Sequence, residues 1–160
     1  MSPATRTITD LDMPSAPEPI GNFRNVMQVG HLLYVSGQGP IGPDGVLQTG
    51  KVGRDVETEQ AYRDARLTGL TILSVLSSYL GDLSRVKRVI KLLGFVNATE
   101  DFTEHPRVIN GCSDLLVEIL GERGMHARSA IGVASLPNNI TVEVEAIVEI
   151  YSEGNDHEHR

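Results

Sequence analysis

Residues 142–150 read Val-Glu-Val-Glu-Ala-Ile-Val-Glu-Ile. A strand repeats every two residues, so Val142, Val144, Ala146, Val148 and Ile150 share one face. Glu143, Glu145, Ile147 and Glu149 share the other. The apolar face must be covered, and two amphipathic helices elsewhere in the chain suit that task. The acidic face is left either to water or to a protein interface.

The rest of the body reads as mixed helix and strand. Val26–Val29 and Leu32–Ser36 flank the turn pair Gly30-His31 and form a hairpin. Gly37 to Gly53 is turn-rich, a loop with a short strand near Val46-Leu47. Asp55 is a candidate cap for a first helix, and Glu57 and Glu59 suit its positive end. Ala61, Ala65, Ile72, Leu76 and Leu80 give its buried stripe, and Gly81 stops it. Gly69, inside the helix, implies close helix–sheet contact.

Val86–Val96 is a long strand. Val86, Ile90, Leu92 and Val96 share one face, and Lys87, Val89, Lys91, Leu93 and Phe95 the other. A second helix spans Pro106–Leu120, with Thr103 as its candidate cap and Val108, Cys112, Leu115 and Ile119 as its stripe. Strands Ser129–Ala134 and Thr141–Ile150 follow, joined as a hairpin through Leu136-Pro137-Asn138-Asn139. The domain reading is an extended, proline-bearing arm (1–19), one domain (20–151) and a flexible polar tail (152–160). His157 and His159 in that tail read as a frayed terminus rather than a metal site.

Composition narrows the partners. Fourteen Lys and Arg against 21 Asp and Glu leave a net charge of −7. Nucleic-acid affinity rests on neutralising phosphates, so an acidic chain without Trp is poorly suited to it. No apolar run approaches a membrane span. A single cysteine, Cys112, excludes an internal disulfide or a zinc cluster and reads as a small core residue. With no apolar stretch in the first 20 residues, a cytoplasmic protein is expected. Gly37-Gln38-Gly39-Pro40-Ile41-Gly42 fits a dinucleotide fingerprint only in letters, because Pro40 and Pro43 deny the helix that would hold a pyrophosphate. No metal-ligand spacing occurs, so neither metal nor organic cofactor is expected.

His126-Ala127-Arg128-Ser129 stands at a strand entrance, where an arginine can offer its planar fork to a carboxylate. Glu143 lies in the next strand and reads as its neighbour. On spacing alone, an ordinary cross-strand Arg–Glu pair accounts for both residues.

Leu33-Tyr34-Val35-Ser36-Gly37-Gln38-Gly39-Pro40 resembles the "yVSGQiP" signature of the YjgF/RidA family. Ala127-Arg128-Ser129, Leu136-Pro137 and Val142-Glu143-Val144-Glu145-Ala146 resemble its "ARS…LP…vEiEai" ending. The order of these pieces over residues 20–150 is more specific than any one of them. The resemblance implies an α+β, chorismate-mutase-like fold, a mixed sheet with two helices on one face. It also implies homotrimers with clefts between subunits. It makes Arg128 the anchor of a substrate carboxylate and Glu143 the group that places water. Ser36, Gly37 and Asn110 line the cleft, as do Phe23, where many deaminating members carry tyrosine, and Ala130, where many carry cysteine.

The implied reaction is hydrolysis of reactive enamines and imines, such as 2-aminoacrylate, to keto acids and ammonia. The alternative is a non-catalytic module that holds a small carboxylated ligand at the same clefts. A ribonuclease role suits the acidic charge poorly. Phe23 in place of tyrosine makes the cleft mouth more apolar, which favours imines with larger apolar side chains.

Overall fold

A computed structural model of the chain describes residues 12–152. The chain runs β1 (Val26–Val29), β2 (Leu32–Gln38), α1 (Thr58–Leu80), β3 (Val86–Asn97), α2 (His105–Leu120), β4 (Ala127–Val133) and β5 (Val142–Ile150). The five strands form one sheet in the order β1-β2-β5-β3-β4. Only β3 and β4 are parallel. Helix α2 makes the crossover that a parallel pair requires.

The expected β4–β5 hairpin does not form. β3 lies between the two strands, paired to both. Burial gives the reason. Every second residue of β5 is buried, which suits the middle of a sheet, whereas no residue of β4 is fully buried, which suits an edge.

The apolar face of β5 is covered as expected. Val142, Val144, Ala146, Val148 and Ile150 are buried with Leu33, Leu92 and Val96 beneath Ile72, Leu73 and Leu76 of α1 and Ile109, Leu115 and Leu116 of α2. Each such large side chain contributes about 1.5–3 kcal/mol on burial. The faces of β3 differ from simple alternation. Its register against β5 shifts between Val86 and Arg88 and again between Val89 and Lys91. Each shift inserts one extra residue, so Val86, Val89 and Leu92 all reach the core and Ile90 does not.

Gly69 serves helix–helix rather than helix–sheet contact. A Cβ there would lie 2.9 Å from Leu115 Cδ2, and one at Gly111 would lie 1.9 Å from the Tyr62 carbonyl oxygen. The two glycines let α1 and α2 approach closely over the sheet. Asp55 is not the cap of α1. The helix starts after Glu57 without a side-chain cap, and Asp55 Oδ2 instead accepts from the Lys51 amide at 3.0 Å. Thr103 likewise does not cap α2, which starts after Glu104 with Pro106 in its first turn. Gly81, at φ +83°, ends α1 and donates its N–H to the Ser77 carbonyl.

Residues 12–19 have no regular secondary structure but lie against the body. Ser74 Oγ on α1 donates to the Pro14 carbonyl at 2.5 Å, and Asn25 Nδ2 to the Pro17 carbonyl at 2.7 Å. The start of the arm, 1–11, and the tail, 153–160, with His157 and His159, lie outside the described residues. In the long loop, Ile41 and Leu47 form an isolated antiparallel bridge, so the short strand expected there is a single rung. Among the described residues no helix is long and apolar enough to cross a membrane, and no group of His, Cys, Asp and Glu could hold a metal.

Candidate active site

Arg128 and Glu143 lie on opposite faces of the sheet. In register, Arg128 pairs with Leu92, and Leu92 with the buried Ala146. Arg128 therefore points to the helix side. Glu143 pairs with Phe95 on the open side. Two strand spacings of about 4.8 Å and three residues of about 3.3 Å along the strand further separate their backbones. The expected Arg–Glu neighbour pair is absent because β3 intervenes. The candidate residues fall into two groups instead.

The first group sits where β4 meets α2. Arg128 Nη1 donates to Ser113 Oγ at 3.0 Å and Nη2 to the Pro106 carbonyl at 3.1 Å. A guanidinium carries five N–H donors, so three remain for a ligand. Asn110 lies between Pro106 and Ser113 on the same stripe of α2, by the spacing i, i+4, i+7. It is half-buried. Ala130 and Gly132 follow Arg128 on the same face of β4. Gly132 leaves room for the His105 ring, whose Nε2 would lie 2.4 Å from a Cβ at that glycine. The ring stands edge-on to Phe102 with centroids 5.2 Å apart.

The second group sits where β2 meets β5. Glu143 lies over Gly37, where a Cβ would come within 2.8 Å of its carboxyl carbon. A side chain at position 37 would have to push the Glu143 carboxyl aside. The sheet register slips at this point, between Val35 and Gln38. Burial, and then the charge of Glu145, raises the Glu143 carboxyl above its ordinary range. Ser36 Oγ donates to the Arg24 carbonyl at 2.7 Å. Ser36 and Phe23 line one open cavity of about 450 Å³ with Gly21, Asn22, Arg24 and Met27. Phe23 is 52% exposed at this cavity.

Elsewhere, Cys112 is fully buried, and burial pushes its thiol up to about 12. It is a core residue, not a nucleophile. Two side chains linked to Arg128 were given no role by the sequence: Ser113, which bonds it, and His126, which bonds Ser113. Ser113 carried a legible signal, since it stands one helical step from Asn110. His126 stood in the quoted motif, but its bond to Ser113 was not legible because that partner lies on α2.

Known proteins resemble this chain in sequence and fold. A family model described as "YjgF/chorismate mutase-like, putative endoribonuclease" matches residues 4–151. Protein TCP17 of Trypanosoma cruzi is 43% identical over 141 residues, 88% of this chain and 88% of that protein. The 2-iminobutanoate/2-iminopropanoate deaminase of Dermatophagoides farinae is 30% identical over 144 residues, 88% of this chain and 94% of its own. The crystal structure of Atu1372 from Agrobacterium tumefaciens superposes with a TM-score of 0.82 at 48% identity, covering 87% of this chain and 86% of that one.

Proposed function

The chain belongs to the YjgF/chorismate mutase-like family, and from that premise we propose that it hydrolyses small imino acids to keto acids and ammonia. The observation that carries this reading is the Arg128 fork, held on two sides by α2 with three N–H groups unspent. A carboxylate bound there by two charge-assisted hydrogen bonds gains about 1.5–3 kcal/mol per bond. The names of relatives such as the Dermatophagoides farinae deaminase point to the same substrate class.

The reaction asks little of the protein. The imine carbon is already electrophilic. Water adds to it, forming a C–O bond and a carbinolamine. One water proton passes to nitrogen as the carbinolamine forms; its hydroxyl proton then passes to nitrogen too, the C–N bond breaks, and ammonia leaves as the carbonyl forms. A carboxyl whose affinity for protons is raised, as Glu143's is, suits taking that proton and returning it to the amine. Such positioned transfer accelerates a reaction by roughly 10²–10⁴-fold.

Arg128 and Glu143 cannot share one small substrate within a single copy. We therefore place the complete site between copies, with Arg128, Asn110 and Ala130 from one and Glu143, Gly37, Ser36 and Phe23 from the next. A closed homotrimer with three such clefts satisfies this, and the half-exposed Leu93, Phe95 and Ile147 suit the face where copies meet.

The test is ammonia release from imino acids generated in solution by an amino-acid oxidase. The parent chain should speed release over buffer. Arg128→Lys keeps the charge but loses the planar fork, and should cost roughly tenfold to a hundredfold in kcat/KM. Equal rates for parent and variant would remove the anchor. Keto-acid binding without any acceleration would assign the chain to ligand holding alone.

A further inference from the structure

We propose that Ser113 and His126 are positioning residues that set the Arg128 fork in the orientation that receives a carboxylate, an inference that rests on the anchoring role of Arg128 above. Three consecutive hydrogen bonds lead from a backbone carbonyl to the guanidinium. His126 Nδ1 lies 2.6 Å from the Gly124 carbonyl oxygen. A carbonyl only accepts, so Nδ1 carries the proton. In a neutral imidazole Nε2 is then an acceptor. Nε2 lies 2.8 Å from Ser113 Oγ, so the hydroxyl must donate to it. The serine oxygen is left with lone pairs alone, and Arg128 Nη1 donates to one of them at 3.0 Å. One backbone carbonyl thus fixes the direction of every bond out to the guanidinium.

The geometry suits orientation rather than simple charge neutralisation. No carboxylate forms a salt bridge with Arg128 among the described residues. Its two terminal nitrogens are held instead by neutral acceptors seven residues apart on α2, Ser113 Oγ and the Pro106 carbonyl. Two attachment points fix the plane of the fork while leaving its charge unspent for an anion. His126 reaches the chain of bonds from just before β4, two residues ahead of Arg128, where its ring meets Ser113 on α2. Without Ser113 the fork would keep only the Pro106 carbonyl and swing about it, and without His126 the Ser113 hydroxyl would lose the acceptor that turns its lone pairs toward the fork.

The experiment titrates pyruvate, an unreactive keto acid, into the full chain and measures imino-acid turnover in parallel. Ser113→Ala and His126→Leu should each weaken pyruvate binding about fivefold, the size of one lost neutral hydrogen bond. They should raise KM by a similar factor and leave kcat nearly unchanged. Ser113→Thr keeps the hydroxyl, and His126→Gln keeps an acceptor in reach. Both should recover binding to within about twofold, which a fold-wide disturbance at these positions would not allow. The ring ¹⁵N spectrum of His126 should show the proton on Nδ1.

If Arg128→Lys weakens pyruvate binding while Ser113→Ala and His126→Leu bind like the parent, the anchor stands and the positioning role falls. If Arg128→Lys also binds like the parent, the anchor falls and the positioning role with it. A proton found on Nε2 would reverse the bonds and overturn the chain as drawn.

Discussion

On the helix side of the sheet Leu92, Val96, Val142, Val144 and Val148 are fully buried, whereas on the other side their strand neighbours Leu93, Phe95 and Glu143 stay half open and Glu145 is exposed. The two sets alternate along the same strands, so the difference is not one of backbone or propensity. It lies in what each face meets. One meets α1 and α2 of its own chain. The other carries half-exposed apolar groups beside three carboxylates, a mixture that a core rejects and that a contact between copies accommodates. The first face makes the fold, and the second carries Glu143, the group we propose to complete a site with another copy.

The comparison is broken most directly at two adjacent residues. Leu92→Ala should cost about 3 kcal/mol in urea unfolding, as large-to-small changes in a packed core do. Leu93→Ala should cost under about 1 kcal/mol at low protein concentration. If the open face joins copies, the cost of Leu93→Ala grows with protein concentration, because association then contributes to stability. Equal costs at all concentrations would erase the distinction between the faces.

Each face also holds one carboxyl with raised proton affinity. Asp64, on α1, is buried, accepting from Thr141 Oγ1 and Gln60 Nε2 at 2.9 Å, and burial raises it. Glu143, on the open face, is raised by burial and by Glu145. In both cases the native state holds the proton more tightly than the unfolded chain. Stability therefore falls as pH climbs from the unfolded carboxyl range through the raised native one. Asn and Gln do not titrate. The stability of Asp64→Asn relative to the parent should rise over that climb, and that of Glu143→Gln should rise less, because its site is partly open. Urea midpoints from pH 4 to 7 check this, and a flat difference for Asp64→Asn would contradict its burial as the cause.

Much of this was legible in the chain itself. The period of two in Val142–Ile150 needed no other element to show which side is covered. The stripes of both helices were equally plain. What misled was connectivity: Leu136-Pro137-Asn138-Asn139 reads as a hairpin turn, yet it carries the chain from an edge strand past β3 into the middle of the sheet. Asn138 and Asn139 do so with φ of 55° and 57°, a conformation that Asn tolerates better than most residues. The bulges in β3 were equally hidden, since a single inserted residue leaves no mark on composition. Arg128 was visible as a fork at a strand entrance. Its partners were not, because Ser113 and the Pro106 carbonyl approach from another element.

A smaller effect sharpens the comparison at the rim of the open face. Phe23→Tyr adds a hydroxyl to the wall of the cavity it shares with Ser36. Relative turnover should shift severalfold toward the smallest imine, since each buried methylene of a larger substrate is worth about 0.8 kcal/mol in an apolar pocket. An unchanged preference across a series of imines would put Phe23 outside the site.

The central claim is that Arg128 and Glu143 act on one substrate only across two copies. Complementation tests it most directly. Arg128→Ala and Glu143→Ala chains, each inactive alone, are co-expressed in equal amounts and assayed for ammonia release from imino acids. Random assembly pairs an intact Arg128 with an intact Glu143 at about a quarter of the interfaces of a closed ring, so the mixture should recover about a quarter of the parent rate. A mixture as inactive as its two components would contradict a site shared between copies.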